Sequence, residues 1–299
     1  MDISTSTNIC AFAPHGGHND IPFCLRTCAE GGYRVLDINF CEAMNPSSRM
    51  RGSGWESYVD EIGNLAASLG VEFRQSHLPY YDIFGCNDSS KAELMEELIR
   101  RSIKASGTLG VRWAVTHPRT VYEAGPDMEV SLRKNREYYM PHVEEAADAG
   151  TGIALENDFE YRSRPYQHIF CSNPHELASL VDSFGDPVHV GACYDFGHAN
   201  LVGGFFRKDL EILGSRLRAV HIADNHGERD EHLLPFSGSI DWGEAMTALR
   251  DSGYSGDLTF EVQEFSRFYP TEYKLTAVEH SIDIGKILLE LFNTGKNGK

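Results

Sequence analysis

Positive charge is what this sequence has least to spare: 27 Lys and Arg against 44 Asp and Glu leave a formal −17 with His neutral. Sequence-independent binding to nucleic acid relies on cations that displace counterions from phosphate, so this balance argues against DNA, RNA and anionic membrane surfaces as partners. No run approaches the roughly 18 apolar residues of a spanning helix. The opening MDISTSTNICAFAP has no basic stretch followed by an apolar one, so neither export nor membrane insertion is expected. The seven cysteines show no CxxC spacing. Cys24 and Cys28 could share a helix face, but zinc would need two further partners, and buried reduced thiols in a cytoplasmic protein are the expectation. No GxGxxG follows the first apolar run and GxxxxGK[ST] is absent, so nothing cradles nucleotide phosphates. Low-complexity segments and Pro/Ser-rich linkers are also missing, and residues 1–299 read as one domain with a flexible tail at about 293–299.

What is present is an alternation. Short apolar or β-branched runs occupy 8–14, 34–40, 72–79, 112–118, 152–158, 189–195, 218–224 and 257–263. Stretches of helical periodicity lie between them, among them 57–70, 91–110, 133–150, 173–185, 239–254 and 276–292. Gly70, Gly110, Gly150 and Gly185 sit where a helix would end in a left-handed residue, and Asn173-Pro174 and Ser239 read as helix starts. Eight such units predict an α/β fold, the (β/α)8 TIM barrel, with an open doubly wound sheet as alternative.

Chemistry in such a barrel gathers at the C-terminal strand ends. Six consecutive runs, the third to the eighth, finish there in a group able to bind metal: His77, His117, Glu156, Asp195 with His198, His221 with Asp224, and Glu261. Each alone reads as a hydrogen-bonded structural residue or a cap. Together they would leave carboxylates and imidazoles converging without compensation. A divalent cation compensates them, and mixed N/O ligation suits Mn²⁺, Zn²⁺, Co²⁺ or Mg²⁺.

The segments HLPY (77–80), THP (116–118), ALEND (154–158), YDFGHA (194–199), HIADN (221–225), DEHLLPFSGSIDW (230–242) and TFEV (259–262) resemble, in barrel order, the xylose isomerase-like superfamily. That superfamily holds sugar-phosphate isomerases and epimerases and endonuclease IV. The resemblance implies one divalent metal on Glu156, Asp195, His221 and Glu261. It implies that the two glutamates exchange the proton next to the carbonyl while the metal stabilises the enediolate. His198, Asn157, His77, His117 and His232 would then contact a small sugar or polyol-derived substrate, and a homodimer is the assembly such barrels commonly adopt. In the nuclease branch nine residues hold three zinc ions, and His77, His117, His198, Asp230 and His232 would join the four as additional ligands.

The net charge opposes the nuclease alternative. A dehydratase remains a rival, because the same enediolate can expel a β-hydroxyl, and so does a sugar-binding barrel without catalysis. Arg162 and Arg164 are the nearest approach to a basic cluster and would meet an anionic substrate group or an acidic neighbour. His15 and His18 read as loop histidines near the pocket mouth. Tyr80, Tyr81, Phe205 and Phe206 would either shield the site or pack under loops, and Trp113 and Trp242 read as core. One departure stands out. Where relatives often carry Pro-Gly-x-Gly, this chain reads Pro235-Phe236-Ser237-Gly238, with an aromatic ring in place of bare backbone.

Overall fold

The computed structural model describes residues 1–122, 127–161 and 168–295. Eight parallel strands close into a barrel in chain order: β1 Ile3–Ser6, β2 Val35–Asn39, β3 Glu72–His77, β4 Trp113–Thr116, β5 Gly152–Glu156, β6 Val190–Asp195, β7 Leu217–Ile222 and β8 Leu258–Phe260. Ser4 closes the ring, pairing with Val35 on one side and Thr259 on the other. The outer layer is α1 Ile21–Glu30, α2 Trp55–Leu69, α3 Ser89–Thr108, α4 Met128–Ala149, α5 Pro174–Ser183, α6 Phe206–Leu213, α7 Trp242–Asp251 and α8 Lys274–Thr294. Arg162 and Arg164 lie outside the described residues. α8 runs through Thr294, so the expected tail begins with two helical residues.

Side chains at the strand surface and the inner helix faces form one large apolar core. The barrel interior is separate: a small apolar cluster in which Val115, Ala154, Cys193 and Ala219 pack with Trp113, alongside buried polar strand residues that include Ser4, Ser6, Asp37 and Gln75. Local signals set many boundaries. Asp20, Asp88, Asp127 and Asn173 accept hydrogen bonds from first-turn amides of α1, α3, α4 and α5. Gly70 and Gly150 end α2 and α4 in the left-handed region, at φ 65° and 81°.

Two expectations are corrected. The first strand is Ile3–Ser6, not 8–14: Thr7–Cys10 forms a 3₁₀ turn and Phe12–Ala13 pairs with Gly17–His18 in a small hairpin. The apolar run is buried against the mouth of the barrel instead of entering the sheet, whereas ISTS reads as polar because Ser4 and Ser6 belong to a strand that lines a polar interior. The helix expected from Ser239 begins at Trp242, capped by Asp241, because Ser239 is held by the Asn225 carbonyl.

Asp224 is also reassigned. It does not join the strand-end cluster; it accepts from Trp242 Nε1 (2.9 Å), Gly238 N (3.1 Å) and Asn225 N (2.8 Å), and its backbone pairs with Leu233. It therefore anchors the loop that carries Asp230 and His232. Phe236 lies in that loop at φ 72° and is half exposed. An L-residue there carries strain of about 1–2 kcal/mol that glycine avoids, partly offset by the roughly 0.5–1 kcal/mol of chain entropy that glycine loses. Phe236→Gly is expected to stabilise the fold by about 0.5–1 kcal/mol in urea unfolding; a loss of stability would mean that the ring packs in a way its exposure does not suggest.

Candidate metal centre

Six parallel strand ends, those of β3 to β8, converge with the loop after β7 on one buried cluster. Ligand atoms of Glu156, Asp195, His221 and Glu261 all lie within 4.8 Å of one another. Three further groups lie as close together: His77, His117 and Glu156 on one side, His198, Asp230 and His232 on the other, and Glu156 and His221 with the buried Cys193. All nine residues singled out by sequence are thus brought together.

Glu156 is the hub. Its Oε1 is 2.8 Å from His221 Nδ1, and its Oε2 is 3.5 Å from His77 Nε2 and 3.4 Å from His117 Nε2. Burial opposes its ionisation, but His221 and His117 outweigh that and hold the carboxyl well below the usual range. Burial instead pushes the Asp195 carboxyl up to about 6, against the pull of His198. Glu156 Oε2 and Asp195 Oδ2 are buried with no hydrogen-bond donor. Carboxylate oxygens withdrawn from water without a donor are costly, and a cation among them removes the cost. The donor set fits a divalent metal on that ground.

The imidazoles are prepared in the same sense. His77 Nδ1 is 3.0 Å from the Leu78 carbonyl, His198 Nδ1 2.8 Å from that of Asn157, and His232 Nδ1 2.9 Å from that of Glu261. A carbonyl can only accept, so each Nδ1 carries a proton and each Nε2 is turned inward, where it offers a lone pair once its own proton is displaced. His77 Nε2 and His117 Nε2 stand 3.1 Å apart, and His232 Nε2 is 2.9 Å from Asp230 Oδ2. Asp230 outweighs the effect of burial and pushes the His232 imidazole up to about 10.

Asn157 does not face the cavity. Its amide clamps the Asp195 backbone, accepting from Asp195 N at 2.7 Å and donating to Asp195 O at 3.1 Å, so it positions a strand end and leaves substrate contact to others. His18 and Tyr80 line the cavity, whereas His15 is exposed on the hairpin and Tyr81 donates to Glu96. Phe205 is exposed and Phe206 packs into α6. The cavity above the cluster measures about 660 Å³ and includes Glu42, Asp158, Asp230 and Glu261 with one described arginine, Arg119. Glu261 reaches its wall; Glu156 is fully enclosed.

Three neighbours escaped the sequence reading. Asp37 on β2 is fully buried below the cluster with neither oxygen bonded. Cys41 Sγ lies 3.4 Å from His77 Nδ1. Gln75 Nε2 lies 2.8 Å from His221 Nε2. A charged or amide residue at mid-strand was the available signal for Asp37 and Gln75. The Gln75 amide can turn so that its oxygen accepts from His221 Nε2–H and leaves Nδ1 for metal. Gln75→Leu is expected to weaken metal binding about 10–100-fold, read by competition with a chelating dye; unchanged affinity would deny Gln75 this role.

A family model described as the xylose isomerase-like TIM barrel matches residues 25–283. A Sinorhizobium fredii protein, y4fM, is 25% identical over 242 residues, covering 81% of this chain and 70% of that one. Fructoselysine 3-epimerase of Escherichia coli O157:H7 is 33% identical over 118 residues, 38% of this chain and 42% of its own length. A probable endonuclease 4 of Mycoplasmoides gallisepticum is 26% identical over 141 residues, 46% and 43%. Among solved structures, a D-tagatose 3-epimerase-like protein superposes with a TM-score of 0.73 at 23% identity, over 98% of each chain, a likeness of fold. No described helix is long and apolar enough to cross a membrane.

Proposed function

The chain belongs to the xylose isomerase-like TIM barrel family, and from that premise we propose that it is a divalent-metal-dependent isomerase or epimerase of a small sugar or related polyhydroxy carbonyl compound. The observation that carries the reading is the convergence of Glu156, Asp195, His221 and Glu261 within 4.8 Å beneath a cavity of sugar size. The sugar epimerases among its relatives add support.

Those four residues would hold the ion, which when bound supplies positive charge to offset the anion that a carbon acid develops beside its carbonyl. Glu261 takes the proton: it is the carboxylate of the four that reaches the cavity wall, and Asn8 Nδ2, 3.4 Å from its Oε1, orients it. Glu156, enclosed among imidazoles and kept ionised by them, serves first as a ligand and second as the partner carboxylate. His117, His198 and His232 line the cavity and would bind substrate oxygens. Phe159 and Tyr80 screen that space from water.

A second reading, a phosphodiesterase with several metal ions, is favoured by the two flanking groups, which give every one of the nine side chains a ligand partner. Against it stand four carboxylates and one described arginine around the cavity, a poor grip for a polyanion. The test incubates metal-loaded protein in deuterium oxide with ketoses, aldoses and inososes, and separately with abasic-site DNA. Deuterium at the carbon beside the carbonyl supports the first reading; loss of water redirects it to a dehydratase. Strand cleavage without exchange overturns it in favour of the second.

A further inference from the structure

The opposite end of the barrel holds a second cavity, of about 810 Å³, where the fold ordinarily serves stability alone. Its wall contains Arg74, Arg112 and Arg218 and one acid, Asp257. Arg74 is neutralised: its guanidinium contacts Asp2 (2.7 Å), Glu72 (3.1 Å) and Asp257 (3.1 Å). Arg112 and Arg218 have no carboxylate within ion-pair distance among the described residues. Their guanidinium carbons lie 5.9 and 5.7 Å from the ring centroid of Trp113. On a chain of net charge −17, two uncompensated guanidiniums at one cavity are a local reversal of field.

The arrangement is built, not incidental. A Cβ at Gly152 would lie 2.4 Å from Trp113 Cζ3, and one at Gly191 would lie 2.1 Å from Arg218 Cγ. Two interior positions on adjacent strands are therefore glycine where a barrel usually packs branched side chains, and the space is given to this indole and to the aliphatic stem of Arg218. Unused hydrogen-bonding capacity points the same way. Ser4, 1% exposed in the cavity wall, has a hydroxyl oxygen with no partner, and Arg218 Nε is buried without an acceptor.

We propose that this basal cavity is a binding site for a small oxyanion, a phosphate or carboxylate group, held by Arg112 and Arg218 beside Trp113. Guanidinium donors match the paired oxygens of both groups in charge-assisted bonds; Arg112 is exposed, and Arg218, half-buried, also donates to the Pro187 carbonyl at 3.0 Å. Gln75 lines this cavity and also touches His221, so one side chain separates the basal site from the metal centre.

The test titrates inorganic phosphate, and separately malonate, by calorimetry at low salt into chelator-treated protein, so that no metal at the opposite end contributes. Saturable one-to-one binding is expected, at least about tenfold weaker in the Arg112→Met/Arg218→Met double variant, a difference of about 1.4 kcal/mol. Stronger binding of phosphate would assign a phosphate ester, and stronger binding of malonate a di-acid. The intrinsic fluorescence of Trp55, Trp113 and Trp242 should move with the same titration, and the change should be absent from Trp113→Phe. Circular dichroism and melting of the double variant without anion check that it folds; should it not, Arg112→Met alone repeats the comparison. No saturable binding, or equal binding in a folded variant, overturns the proposal.

Discussion

Glu261→Gln is expected to cut turnover about 10²–10⁴-fold, the range by which a positioned general base contributes. The variant should keep the fold, because Glu261 lies at the cavity wall and Gln can still accept from Asn8. The measurement is solvent-deuterium incorporation into a sugar turned over by the unaltered protein, with metal content determined in parallel. Lost exchange with retained metal would separate the base from the ligand. Near-normal exchange would remove Glu261 from proton transfer and return the task to Glu156.

Removal of metal should have the largest effect on stability. An ion present at about a thousand times its dissociation constant contributes about 4 kcal/mol, and a chain of this size shifts by roughly 2–4 °C per kcal/mol, so chelation is expected to lower the melting temperature by on the order of 10 °C. Glu156→Gln should do the same without chelator and bind no compensating ion, because it removes the one side chain shared by the four-residue group and the His77–His117 group. Breaking such buried charge pairing costs about 3–5 kcal/mol. Metal analysis of the native protein separates the two functional readings: about one equivalent fits the four-residue centre, and about three would require both flanking groups to be filled.

How much of this was legible in the chain depends on whether the signal was local. Seven of the eight strands could be found from apolar runs, and seven of the nine clustered residues from the His, Asp or Glu at the ends of six of them, because a barrel puts every strand's C-terminal end on the same face, whereas Asp230 and His232 came only with the family resemblance. β1 could not: ISTS carries the polarity of the interior it lines, and the neighbouring apolar run 8–14 belongs to a turn and hairpin. Asp224 and Asn157 misled for a related reason. Both have residue types suited to a site at positions suited to a site, yet Asp224 spends its oxygens on the 233–242 loop and Asn157 spends its amide on Asp195.

By itself, then, the sequence determined the class of barrel, the face on which chemistry gathers and the types of ligand offered there, since periodicity and residue identity are properties of short segments. The tertiary structure alone decided that Glu156 sits between two groups while Glu261 meets the cavity, that three imidazoles turn Nε2 inward, and that Arg112 and Arg218 meet across Trp113 at the other end. These are relations among residues as far apart as 106 positions along the chain, from Arg112 to Arg218. Distance and orientation between such residues exist only once the eight strands have closed.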